Sequence, residues 1–151
     1  INELAFAPVD LQPGAPVDPW SGDGGTGVDY FSAQAVLRYA EAAGIEFEPG
    51  LSRGQKVAHV NRLFSAGDAR AEMVYDTIGL CLGYAIPLYR CFYGMDSVLL
   101  LGGVTGGDAG AHIAARARKV LRSEFGDDTE IFLPDEKLRL TGQAQIAAAL
   151  P

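Results

Sequence analysis

The sequence predicts an α/β domain, a short sheet with parallel strands covered by helices. Three observations point there. Residues Ser97-Val-Leu-Leu-Leu-Gly-Gly-Val-Thr-Gly-Gly-Asp108 run from an apolar stretch into paired glycines, and a long helical pattern opens just beyond. From Val98 onward the order reads strand, helix, strand, helix, which favours parallel strands with helices on the faces. Before that, Gly67 to Gly94 is helical and apolar almost all round, the signature of a helix central to a core.

The elements follow from local chemistry. Leu4 to Asp10 alternates weakly and reads as a short strand. Leu11 to Val28 is rich in Gly, Pro and Asp and reads as a long loop, of a length that usually carries function. Asp29 or Ser32 caps a helix running to Ala43, where Phe31, Ala35, Tyr39 and Ala43 recur at helical spacing and Gly44 ends it. Arg53 to Phe64 is a second helix, facing inward through Val57, Val60, Leu63 and Phe64. The long helical region starts at Gly67-Asp68, ends near Tyr93-Gly94, and is expected to bend or break at Gly83 and Pro87. Strand Val98–Leu101 precedes the glycines. The next helix, from about Ala109 to Phe125, turns Ile113, Ala114, Ala117, Val120 and Leu121 inward. Its arginines and Lys119 fall in the C-terminal half, as the helix dipole prefers. Glu130–Leu133 is a second strand, and Thr141 caps a closing alanine-rich helix.

Size and charge narrow the function. The 151 residues fit one domain with a sizeable core. The net charge of −7, with eight acids against the single base Arg38 in the first fifty residues, argues against a nucleic-acid partner. Val74 to Tyr93 is the only candidate membrane span, and its Asp76, Arg90, Pro87 and glycines favour a buried helix instead. Cys81 and Cys91 are expected to be buried free thiols on different helix faces, which suits a reducing cytoplasm. No signal peptide is visible. The chain opens on Ile1 rather than Met, so a fragment or processed piece is expected.

The paired glycines carry the chemistry. A strand ending in Gly-Gly before a helix lets backbone N–H groups approach a ligand, with the positive end of the helix close by. No Gly-x4-Gly-Lys-Ser/Thr occurs, and no Gly-x-Gly-x-x-Gly in a first strand–helix turn with a later acidic partner. Leu100, Leu101, Gly102, Gly103 and Val104 instead spell hydrophobic-hydrophobic-Gly-Gly-hydrophobic, which resembles the adenosine motif of the actin-like ATPase and sugar kinase superfamily. With Gly67-Asp68-Ala69-Arg70-Ala71, Ile78 to Ile86, and Gly142-Gln143-Ala144, the stretch from Gly67 to Ala149 resembles the C-terminal half of the ROK family of bacterial sugar kinases and sugar-responsive repressors.

That resemblance implies a ribonuclease-H-like lobe spanning residues 1–151, with an N-terminal lobe, its phosphate hairpin and the catalytic Asp lying upstream of Ile1. It implies ATP with Mg²⁺ as cofactor, bound through Gly102, Gly103, Val104 and Thr105. It implies a sugar or small polyol as substrate, contacted by Glu3, together with a homodimer and a cytoplasmic setting. Departures are visible too. Phe6 stands where the family has a histidine, Val28 where it has a second sugar-binding Glu, and the loop Pro19–Gly27 has none of the family's zinc cysteines. These favour the alternatives of a non-catalytic sugar-sensing or ATPase-like regulatory module, or a dimerisation domain. Asp108 is expected to cap the following helix rather than hold Mg²⁺, His112 to be a plain helix residue, and His59 a boundary residue.

Overall fold

In the computed structural model, which describes residues 4–134, side chains that begin helices set the frame. Ser32 accepts a hydrogen bond from the Gln34 N–H and opens α2, Ala33–Ala42. Ser52 and Gln55 form a reciprocal capping box at the start of α3, Arg53–Ser65. Asp68 caps α4, Ala69–Tyr93, and Gly94 ends it in the left-handed conformation. A single-turn helix α1, Gly27–Phe31, precedes α2. Strand β1, Ser97–Leu99, leads into a 3-10 turn at Gly103–Thr105, then α5, Asp108–Val120, and β2, Glu130–Phe132. The two strands are parallel, Val98 opposite Ile131, as the strand–helix–strand order predicts. The architecture is α/β, mostly helical, with this small parallel pair.

The core lies where α4 crosses the other helices. Val74, Tyr75, Ile78 and Ile86 of α4 meet Val36 and Ala40 of α2, Val57 and Val60 of α3, and Ile113 and Ala117 of α5. All five residues expected to face inward from α5 and its continuation, Ile113, Ala114, Ala117, Val120 and Leu121, are buried. The tightest seam joins α4 to α5. A Cβ added at Gly79 would lie 2.6 Å from the Arg116 Cβ and 2.8 Å from the Ile113 carbonyl oxygen. At Gly83 it would lie 2.6 Å from the Val120 Cβ. Two glycines one turn apart therefore let the helices approach nearly backbone to backbone.

Several expectations are corrected. α4 is one continuous helix of 25 residues. Gly83 is a packing residue rather than a break, and Pro87 withholds only the N–H that Gly83's carbonyl would have received. Leu4–Phe6 is a 3-10 turn, not a strand; the segment pairs only at an isolated bridge, Pro8 to Thr26. The first helix splits at Ser32, whose backbone is extended (φ −90°, ψ −178°). The helix of Ala109–Phe125 begins one residue earlier and ends at Val120, Leu121–Phe125 forming a wider π turn. Cys81 is half-buried but Cys91 is exposed. The closing helix expected after Thr141 lies outside the described residues.

A polar clasp ties the end of α4 to β2. Asp127 accepts hydrogen bonds from the Thr129 N–H (2.8 Å) and hydroxyl (2.7 Å) and from Arg90 Nη1 (2.8 Å). Burial pushes its carboxyl up, but the bonds from Thr129 and Arg90 outweigh that and hold it below the ordinary value.

Two measurements follow. Gly79→Ala gains up to about 1 kcal/mol of helix propensity but incurs an overpacking cost of about 1–3 kcal/mol. Urea denaturation should therefore show a net loss of about 1–2 kcal/mol. Gly54→Ala on α3, where a Cβ meets nothing within 4 Å, should show no loss. Because the folded Asp127 is the stronger acid, its stabilisation is complete above the unfolded pKa of about 3.9 and fades as pH falls through the folded value. Asp127→Asn should flatten the acid side of the stability–pH curve between about pH 4 and pH 2.

Candidate functional site

The bend after β1 has two glycines with different duties. Gly102 sits at φ 110°, ψ 176°, a conformation that a side chain disfavours strongly. Gly103 has no such backbone demand, and a Cβ there would meet nothing within 4 Å. Neither packing nor conformation requires Gly103 to be bare, and open space lies over it.

The bend is held from beneath. The Thr105 hydroxyl donates to the Gly102 carbonyl at 2.9 Å, firmer than the backbone bonds of the same turn, Thr105 N–H to Gly102 at 3.3 Å and Gly106 N–H to Gly103 at 3.4 Å. Val104 is buried in the core. Gly110 lets α5 press on the turn, since a Cβ there would lie 2.3 Å from the Thr105 carbonyl oxygen. Of the four residues expected at a nucleotide, Gly102 and Gly103 thus form the exposed surface. Val104 anchors the turn, and Thr105 spends its proton on locking it.

Two cavities meet at Gly103. One, of about 550 Å³, runs between β1, α3 and α4 and is walled by apolar groups that include Phe31, Val57, Leu82, Ile86, Val98 and Leu100. The other, of about 370 Å³, lies between the end of α3 (Asn61, Arg62, Ser65) and the glycine loop (Gly103, Gly106, Gly107), with Ala109 at the start of α5. Gly103 and Asn61 line both. The first offers no side-chain charge to an ionic group. The second presents a cation and a loop nearly free of side chains. Gly107 caps α5 through its backbone alone, and no side chain bonds the first N–H groups of the helix. Asp108 is the first residue of α5 and makes no capping bond, against expectation.

The remaining candidates lie elsewhere. Glu3, the expected sugar contact, is outside the described residues. Asp29 is buried and its carboxylate receives the Thr26 hydroxyl, while its carbonyl receives Arg38. It closes the first turn of α1. Tyr30 donates to Asp10 at 2.5 Å, and Gln34 and the Ser21 N–H bond Asp18, so the long Gly- and Pro-rich loop is pinned by buried or half-buried carboxylates. Trp20 is 83% exposed, against the Phe6 ring. His112 packs edge-on to Phe64 with Nε2 3.7 Å from an Asp76 oxygen, beside Arg116 on the α4–α5 seam. His59 meets Phe47 edge-on at the boundary, as expected. Burial raises the Cys81 thiol, which lies 3.8 Å from the Tyr39 hydroxyl. Among the described residues no three metal-ligating side chains cluster, and no helix is long and apolar enough to cross a membrane.

Sequence reasoning missed Asn61, Arg62 and Ser65. Their spacing, on one helix thirty-eight or more residues before the glycines, carries no motif; only the packing of α3 beside α5 brings them to the bend. Comparison of the chain with protein-family models, with curated proteins and with solved structures found no match.

The lock on the bend is separable from its surface. Thr105→Val, nearly isosteric, should cost about 1 kcal/mol in denaturant unfolding. It should also speed amide hydrogen exchange at residues 105 and 106 more than elsewhere in the chain.

Proposed function

We propose that this chain is the nucleotide-binding lobe of an ATP-dependent sugar or small-polyol kinase of the ROK type, ribonuclease-H-like in architecture. The observation that carries this reading is the bare Gly102–Gly103 bend at the end of a parallel strand, open to two cavities and mounted at the start of α5. A backbone without side chains lets a flat nucleoside lie against it, and the helix start favours negative charge nearby. Charge positioning is most of what phosphoryl transfer asks of a protein. ATP would supply the γ-phosphoryl group. Mg²⁺ commonly takes one or two carboxylates and completes its shell with phosphates and water.

Glu3 remains the proposed sugar contact, and the catalytic base is proposed to lie on a preceding lobe. A homodimer in the cytoplasm fits the reading. The exposed Tyr84, Leu88 and Phe92, spaced one turn apart on α4 with Phe125 against Tyr84, offer an apolar stripe for a second copy. The acidity of the chain speaks against a nucleic-acid partner. The second reading is a sugar-sensing or regulatory module without catalysis. Phe6 and Val28, in place of sugar-binding polar groups, favour it.

Calorimetric titration of ATP and adenosine into the 151-residue chain tests the bend. Gly103→Asp should weaken both by at least tenfold, about 1.4 kcal/mol. Its unfolding midpoint should stay close to that of the wild type, because open space surrounds the new side chain. Absence of binding by the wild type, or unchanged affinity in Gly103→Asp, defeats the proposal.

A further inference from the structure

The polar cavity on the far side of Gly103 is lined by one cation, Arg62. Ten lysines and arginines lie among the described residues, and seven of them are engaged. Arg70, Arg90, Arg116 and Arg122 pair with acids. Arg118 bonds the Ile131 carbonyl, Arg38 bonds Asp29 and lies over two tyrosines, and Lys56 sits over Phe47. Arg53, Arg62 and Lys119 have no such partner among the described residues. Of these three, only Arg62 lines a cavity walled by glycine backbone.

Its neighbour supplies an independent sign. Asn61 accepts the hydroxyl proton of the buried Tyr75 through Oδ1. That bond fixes which end of the amide faces the core. The NH₂ group makes no hydrogen bond among the described residues, and Asn61 lines both cavities beside Gly103. A fixed donor, a free guanidinium and the Ser65 hydroxyl therefore face the glycine loop across 370 Å³ of space. Every one of these groups can donate a hydrogen bond to a negative oxygen.

We propose that this cavity is the seat of a di- or triphosphate chain, with Arg62 as its principal charge partner and Asn61 as the donor at the junction with the nucleoside. The inference rests on the nucleotide reading and sharpens it, because it predicts which part of the ligand each residue senses. Arg forks onto paired phosphate oxygens as a point-charged lysine cannot. Among the described residues no acid pairs with Arg62. Glu46 and Glu48 line a neighbouring groove together with His59 and Arg62, and Asp108 stands at the start of α5. Contact through a guanidinium is ionic, so binding should weaken with salt.

The test titrates ATP, ADP, adenosine and inorganic pyrophosphate, without added metal, into the 151-residue chain and its variants. Arg62→Gln should lower affinity for ATP, ADP and pyrophosphate about tenfold and leave adenosine unchanged. Asn61→Asp keeps an acceptor for Tyr75 and swaps the donor for a negative oxygen, and should lose ATP affinity at least as strongly at unchanged unfolding midpoint. Equal loss for adenosine and ATP in Arg62→Gln, or no loss for any phosphate ligand, overturns the assignment. The two readings fail separately. Pyrophosphate bound through Arg62, with adenosine unbound, sustains the phosphate seat and removes the nucleoside. Adenosine and ATP bound equally well by the wild type and Arg62→Gln does the reverse.

Discussion

Everything in this molecule hangs on the approach of α4 to α5. Gly79 and Gly83 remove the side chains that would hold the helices apart, and Ile113, Arg116 and Val120 occupy the space. Close approach fixes α5 along its length rather than at one point. Gly110, one turn into α5, then brings the helix against the Thr105 carbonyl, and the Thr105 hydroxyl ties that turn back to Gly102. The glycine bend is thus the last link of a chain of contacts that begins in the most buried helix. Its position is set by packing, while its own surface is left free. Such division suits a binding loop, since precision comes from the scaffold and adaptability is not needed at the surface.

The two cavities divide the chemistry by dielectric environment. In the apolar one an ionic group would forgo water without receiving a partner, a cost of several kcal/mol at least. Only an uncharged ring or another apolar group belongs there. Leu99 of β1 is also 52% exposed, and among the described residues β1 pairs on one side only. A parallel pair exposed in this way is unusual, because parallel sheets are generally covered on both faces. The apolar wall along β1 therefore has two physical uses, seating a ring or seating further protein. The bend serves the ligand reading from either side, because Gly103 opens equally onto the polar cavity.

How much of this was legible depended on whether the signal was local. Ser32, Asp68 and Gly94 marked their helix ends because caps act within one turn; the Ser52–Gln55 box, just as local, went unread. The inward face of α5 was legible for the same reason, its stripe being a repeat along one helix. Gly83 was misread because a glycine in a helix looks identical whether it weakens the helix or admits a neighbour; only the partner Val120 decides. Asp108 was misjudged because Gly107 already supplies the cap position through its backbone. Leu4 to Asp10 alternates like a strand, yet it has no continuous partner and makes only one bridge. The strand pair and its parallel sense came from element order, which constrains topology more firmly than any residue does. Asn61 and Arg62 were invisible, since nothing in α3 announces that its last turns will face a loop some forty residues later.

The same distinction bears on what Gly103 means. A glycine explained by conformation or by packing has exhausted its reason for being glycine, as Gly102, Gly79 and Gly110 have. Gly103 has neither reason, and its added Cβ would point into emptiness. Gly107 likewise meets nothing, but its φ of 57° accounts for it. Within the loop that faces Arg62, then, Gly103 is left without an internal cause, where both cavities and the fixed Asn61 amide converge. A flexible residue in an exposed turn adds to the entropy lost on folding. The proposed ligand would lie flat on the bend, with its charged end toward Arg62, and would gain contact that any side chain at 103 would deny.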